Sequence, residues 1–208
     1  MQIALPELKA PATLILDDEK GLSDEKYLRI CKANPDLRLE RTAQGELVIV
    51  PPAGADSDYR CLDTGRQLGN WARKDGRGKA FGSSVQFWLP SGAARSPDAA
   101  WVSNARLATL TKKQRGEFLR LTPEFVVEVM SPSDRLAAAQ RKMKEWLDNG
   151  VELAWLIHVD ARRGDARRVY VYRQGCDQPQ LYSGIETLAG EGPVEGFILE
   201  LAEIWEGL

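Results

Sequence analysis

Six consecutive residues, Phe125-Val126-Val127-Glu128-Val129-Met130, constrain the fold of this chain more than any other segment. A short valine-rich apolar run reads as a central strand covered on both faces. Side chains alternate along a strand, so Glu128 shares its side with Val126 and Met130, while Phe125, Val127 and Val129 face the other way. A carboxylate there is desolvated, and it stays folded only against a cation, a metal or hydrogen-bond donors. The sequence that follows predicts a helix: Ser133 or Asp134 is placed to cap it, Leu136, Ala139, Met143 and Leu147 form one stripe, and Asn149-Gly150 ends it. Residues 151–159 form a second apolar strand, with Trp155 and Ile157 on one face.

The flanking segments extend this unit in both directions. Residues 1–21 mix prolines, charges and a short apolar run, and read as an N-terminal arm ahead of a single domain over residues 22–208. Ser23 caps a helix with Asp24 and Glu25 in its first turn, Leu22 is placed to staple against Tyr27, and Asn34-Pro35 stops it. Residues 37–50 read as a hairpin turning at Gln44-Gly45. From 57 to 74 a helical period collects Cys61, Leu62, Leu68, Trp71 and Ala72. Strands are expected at 85–89, 96–102 and 169–172, with a polar excursion at 103–120, a charged turn at 160–165 and an amphipathic end at 201–205. This order predicts an α/β (α+β) fold with a central mixed sheet flanked by helices.

Composition narrows the chemistry. The 208 residues carry 28 Lys+Arg and 30 Asp+Glu, a formal charge of -2, which removes the strongly basic footprint of a nucleic-acid coat. His158 is the one histidine, and Cys31, Cys61 and Cys176 stand far apart with no CxxC pair, so a zinc site of the usual ligand sets cannot be assembled. An odd number of cysteines and an N-terminus without a basic, apolar leader point to reduced thiols, a cytoplasmic setting and no membrane. Gly76-Arg77-Gly78-Lys79 lacks phosphate-loop spacing and reads as a turn.

Oxygen ligands and a hard cation are what remains. Asp98, Ala100 and Val102 share one strand face; if that strand neighbours the one carrying Glu128, both carboxylates converge at a sheet edge and can hold a divalent cation with water and a substrate phosphate. Glu40 is a third candidate. Lys142 flanks the apolar stripe, one residue before Met143 and four before Trp146, and can reach back toward the end of the Glu128 strand.

These motifs, in order, carry a resemblance. Asn34-Pro35-Asp36-Leu37, Glu40, Gly45-Glu46-Leu47, Pro51-Pro52, Ser-Pro-Asp (96–98), Val-Val-Glu-Val-Met-Ser-Pro-Ser-Asp (126–134), Lys142 with Trp146, Gly150-Val151 and Ala-Trp-Leu-Ile (154–157) resemble the Uma-type restriction endonuclease-like family of the PD-(D/E)XK nuclease superfamily. Each is short, but the ordered set spans about Leu22 to Trp205.

The resemblance implies a restriction-endonuclease-like αβββαβ core, an Mg2+ (or Mn2+) cofactor and DNA as substrate. Asp98 and Glu128 would be the metal-binding acids, the backbone carbonyl of Val129 a further ligand and Glu40 the upstream acid. The lysine expected two residues after Glu128 is replaced by Met130. Lys142 from the following helix matches the substitute position, and Lys144 is the alternative. Relatives often carry His or Asn where this chain has Cys61, which leaves that contribution open. Phosphate contacts would come from Arg73, Lys74, Arg77 and Lys79, or from Lys112, Lys113 and Arg115.

Each residue also has a plainer reading: Asp98 and Glu128 as buried ion pairs, Glu40 as the partner of Arg38 or Arg41, Lys142 as a snorkelling surface lysine, and the basic runs as solvated faces. Two further function classes therefore stand beside the metal-dependent endonuclease: a nuclease-fold protein that binds nucleic acid or a partner without cutting, and a structural module in which tryptophans and the arm make a homodimer.

Overall fold

A computed structural model describes residues 11–14, 21–160 and 166–208. Most of the arm expected over 1–21, and the charged turn over 160–165 apart from its first residue, lie outside the described residues. In chain order the elements are β1 (Ala12–Leu14), α1 (Asp24–Ala33), β2 (Arg38–Arg41), β3 (Leu47–Val50), α2 (Ala55–Asp75), β4 (Gly78–Gly82), β5 (Phe87–Trp88), β6 (Ala94–Arg95), β7 (Ala99–Ser103), α3 (Asn104–Ala108), β8 (Phe125–Val129), α4 (Leu136–Asp148), β9 (Leu153–Asp160), β10 (Ala166–Arg173), β11 (Gln180–Ser183), β12 (Thr187–Ala189), β13 (Ile198–Glu200) and α5 (Ala202–Glu206).

The main sheet runs β11-β10-β9-β8-β7-β4. β8 and β9 are parallel, joined through α4, and the other neighbours are antiparallel, so the sheet is mixed. β8 has an apolar layer on each face, as its composition requires. Phe125, Val127 and Val129 pack with Leu68 and Ala72 of α2 and with Ile204 and Trp205 of α5. Val126 and Met130 pack with Met143 and Trp146 of α4. Fully burying side chains of this size contributes about 1.5–3 kcal/mol each, which is what holds α4 onto the sheet.

A second sheet, β1-β3-β2-β6-β5, packs beneath α1 through Tyr27, Leu39, Ile49 and Trp88. Ser23 caps α1 as expected, its hydroxyl accepting from the Lys26 amide, and Leu22 joins the same cluster as Tyr27. The described part of the arm adds β1 to the edge of this sheet, pairing with β3.

Four expectations need correction. The strand expected over 96–102 begins only at Ala99: Ser96-Pro97-Asp98 is a connection that carries the chain from β6 of the smaller sheet to β7 of the main one. Pro97 cannot donate to a ladder, so the strand breaks there. The segment 76–79 is more than a turn, because Gly76 closes α2 in the left-handed conformation and Gly78 opens β4. Leu62 is 66% exposed and does not join the buried stripe of α2. Neither Ser133 nor Asp134 caps α4: Arg135 holds that position without a side-chain cap, and Asp134 accepts instead from the amide and hydroxyl of Ser131.

Candidate active site

The main sheet and the smaller sheet meet at Ser96-Pro97-Asp98, and four functional side chains gather there. Ala99 pairs with Val127, so the next step along the antiparallel register brings Asp98 to the end of β8 beside Glu128. The Val129 amide donates to Asp98 Oδ2 at 2.8 Å. β2 brings Glu40 from the smaller sheet and α4 brings Lys142. The Lys142 ammonium lies 2.9 Å from Glu128 Oε1 and 3.0 Å from Oε2, 3.4 Å from Glu40 Oε1, and 3.3 Å from the Ser96 carbonyl. Glu40 and Glu128 are buried, while Asp98 and Lys142 keep part of their surface in solvent. The cluster is therefore reachable from one side.

Three residues that sequence patterns had not singled out for the site hold these groups. Trp146, one turn after Lys142, donates its indole N–H to Glu128 Oε1 at 2.9 Å. Arg95 bridges Glu40 at 3.0 Å and Glu145 at 2.5 Å. The Ser96 amide donates to Glu40 Oε1 at 3.1 Å. Glu40 thus pairs with Arg95 and Lys142, not with Arg38 or Arg41; Arg41 instead meets Asp24 at 2.7 Å. Lys144 turns outward and pairs with Asp148 on the surface, so Lys142 is the lysine that enters the cluster. Cys61 reaches the site from α2, and burial, with Asp98 and Glu128 nearby, pushes its thiol pKa up.

Electrostatics separate the acids. Burial drives the Glu128 pKa up, Asp98 and Glu40 add repulsion, and Lys142 pulls back only partly, which leaves it pushed up to about 7. Burial raises Asp98 too, against Lys142 and the Val129 amide. Glu40 goes the opposite way: burial is outweighed by Lys142 and Arg95, which hold it below the usual carboxylate range. Burial would lower Lys142, but Glu128, Glu40 and Asp98 outweigh it and keep the ammonium charged.

Among the described residues no group of three or more His, Cys, Asp or Glu side chains is arranged to hold a metal ion. Glu40, the third acid of the expected ligand set, has its oxygens engaged by Arg95, Lys142 and Ser96. Asp98 and Glu128 remain as two hard-oxygen donors whose mutual repulsion and raised proton affinity a divalent cation would relieve. One or two carboxylates completed by water and substrate phosphate suit Mg2+, so the donor set fits the ion.

The Lys/Arg clusters offered by the sequence lie elsewhere. Arg77 pairs with Asp75, and Lys79 and Arg115 line a separate depression beside α3. A larger groove of about 760 Å3 runs past Glu40 and Ser96, and the cations that line it are Lys32, Arg38 and Arg120.

The sequence matches the family described as "Uma2: Putative restriction endonuclease" over residues 24–202. The chain belongs to that family. A solved structure with a similar fold is titled as a putative nuclease belonging to DUF820 from Anabaena variabilis; it aligns with a TM-score of 0.70 at 15% identity, covering 88% of this chain and 96% of that one. No curated protein matches the sequence significantly. The mixed sheet with flanking helices is thus a nuclease fold in this Uma2 member, as expected from the order of its motifs. No helix among the described residues is long and apolar enough to cross a membrane.

The roles of the two lysines on α4 can be separated by stability. Removing one partner of a buried ion pair costs about 3–5 kcal/mol, and the partial exposure of Lys142 reduces that to roughly 2–3 kcal/mol. Lys142→Met should lower urea-unfolding stability by that amount near pH 8, and by less near pH 5.5, where Glu128 is protonated. Lys144→Met should stay within about 0.5 kcal/mol at both. Equal losses would show that Lys142 is no more embedded than Lys144.

Proposed function

We propose that the protein is a metal-dependent endonuclease that hydrolyses phosphodiester bonds in DNA at the Asp98–Glu128 centre. The observation that carries this reading is the convergence of Asp98 and Glu128 at the end of β8 with the Lys142 ammonium within 3.0 Å of the Glu128 carboxylate. Membership of the Uma2 family supports it. Mg2+, or Mn2+ in its place, would be held by Asp98 and Glu128, with the Val129 carbonyl as a further ligand, and when bound would neutralise a phosphate oxygen and acidify a water. Lys142, kept charged by three acids, orients that water or stabilises the charge that builds on the phosphate. Trp146 fixes the Glu128 carboxylate, and Arg95 fixes Glu40, which in turn fixes Lys142. Cys61, half-buried beside these acids, stays a neutral thiol.

The test is purified protein incubated with a single-stranded circular DNA and with a supercoiled plasmid. Nicking is expected with Mg2+ or Mn2+, none with a chelator, and none from Asp98→Asn. Cleavage that persists in the chelator would contradict the assignment.

One observation favours a second reading, a nuclease-fold protein that binds without cutting: Glu128 already has a cation in Lys142, and among the described residues no third acid is free to ligate. Calorimetry showing no divalent-metal binding, with retained affinity for DNA, would select it. A homodimer is what the structural-module reading requires, and a monomer in light scattering at micromolar concentration would remove that reading; a cytoplasmic setting goes with the nuclease.

A further inference from the structure

The groove beside the acidic cluster has features that the hydrolytic centre does not use. It is about 760 Å3, within the size range of ligand sites, and Glu40 and Ser96 form the part of its wall that adjoins Lys142. Phe118 also lines it, an aromatic ring 37% exposed on a protein whose other large aromatics are mostly covered. Phe118 stacks on Trp88, with centroids 6.1 Å apart and planes at 23°. Trp88 is itself buried and covered by the Arg120 guanidinium at 4.1 Å.

This shelf is built before any ligand arrives. The Trp88 amide donates to the Leu119 carbonyl at 2.8 Å, and the Leu119 amide donates to Gln86 at 2.9 Å, so the backbone next to Phe118 is pinned to the smaller sheet. Lys32 and Arg38 supply positive charge along the groove, Arg120 adds a guanidinium that is also ion-paired with Asp24 at 2.7 Å, and Glu117 is the acid beside Phe118. Cations and an open aromatic face therefore lead in one path to the acidic cluster.

We propose that this groove is the track of an unpaired DNA strand, with one base stacked on Phe118 and the neighbouring phosphates held by Lys32, Arg38 and Arg120. The inference rests on the nuclease reading and names its substrate as unpaired DNA. Bases inside a duplex have both faces covered by their neighbours, whereas an unpaired base has a free face for an aromatic ring. The phosphate contacts add affinity that is independent of sequence and falls with salt.

The experiment is fluorescence anisotropy of the full chain with a labelled oligothymidine and with a duplex of the same length, in chelator so that nothing is cleaved. The single strand is expected to bind at least about fivefold more tightly than the duplex. Phe118→Ala should weaken single-strand binding about tenfold, and Phe118→Trp should restore it. Arg38→Gln should weaken it and flatten the dependence of log Kd on log salt by about 0.7. Unchanged melting temperatures would show that Phe118→Ala and Arg38→Gln remain folded. Equal binding by Phe118→Ala and the parent, tighter binding of the duplex, or tighter binding of the equivalent oligoribonucleotide would overturn the proposal. A protein that shows the expected binding but never cuts loses the nuclease reading and keeps the groove; one that cuts with Phe118→Ala unimpaired in binding loses the groove alone.

Discussion

Glu128→Gln is expected to abolish metal-dependent cleavage while leaving the fold at least as stable as the parent near pH 8. The two halves have different causes. An amide is a far poorer ligand for a hard cation than a carboxylate, and loss of one preorganised charge-stabilising group typically costs about 10²-fold to 10³-fold in rate. Stability responds to another set of contacts. Glu128 Oε1 receives both the Trp146 indole N–H and the Lys142 ammonium, and a glutamine oxygen in that position keeps both. The amide nitrogen that replaces Oε2, 3.0 Å from that ammonium, turns Lys142 toward Glu40. The substitution also removes the repulsion that Asp98 and Glu40 exert on Glu128. The unfolding free energy should therefore change by no more than about 1 kcal/mol. A loss of activity accompanied by several kcal/mol of destabilisation would mean that Glu128 holds the fold together and that the activity loss is secondary.

The second large effect is the coupling of metal to protons. With a folded-state pKa pushed up to about 7 against an ordinary value of 4.5, Glu128 holds its proton more tightly folded than unfolded. Its contribution to stability is complete below about pH 4.5 and is lost as pH rises through about 7. Asp98 is shifted in the same direction, so the metal-free protein should weaken across this window. Cation binding requires the ionised carboxylates and competes with the proton. The rise in melting temperature caused by Mn2+ should thus be small near pH 5.5 and grow to a plateau above pH 7, where a hundredfold excess over Kd corresponds to about 2.7 kcal/mol. Asp98→Asn should flatten the curve. A shift of the same size at every pH would place the ion somewhere other than these two acids.

Much of this was legible from residue order because β8, α4 and β9 follow simple periods. The alternation of β8 put Glu128 on the α4 side, and the stripe of α4 favoured Lys142 over Lys144 as the lysine facing inward. What the periods could not convey is how the two sheets meet. Arg95 reaches the cluster because the chain changes sheets at Pro97, and a two-residue strand such as β6 carries no alternation to read. Trp146 was visible as a stripe residue, but its indole bond to Glu128 depends on α4 lying across the end of β8. A buried acid on the strand and a tryptophan one turn after the candidate lysine on the following helix were the available signal. β4 was hidden because Gly76 and Gly78 carry turn chemistry, although Gly78 is the strand's first residue. The groove was invisible for a similar reason: Lys32 and Arg38, either side of the α1–β2 connection, meet Phe118 and Arg120 from a distant part of the chain.

The central claim is that Asp98 and Glu128 share one divalent cation, and a crystal grown or soaked with Mn2+ near pH 8 tests it most directly. Anomalous density is expected between the two side chains, with one oxygen from each about 2.1 Å from the peak and Lys142 moved from its Glu128 ion pair toward solvent or Glu40. Density confined to surface carboxylates, with Lys142 still seated on Glu128, would contradict it.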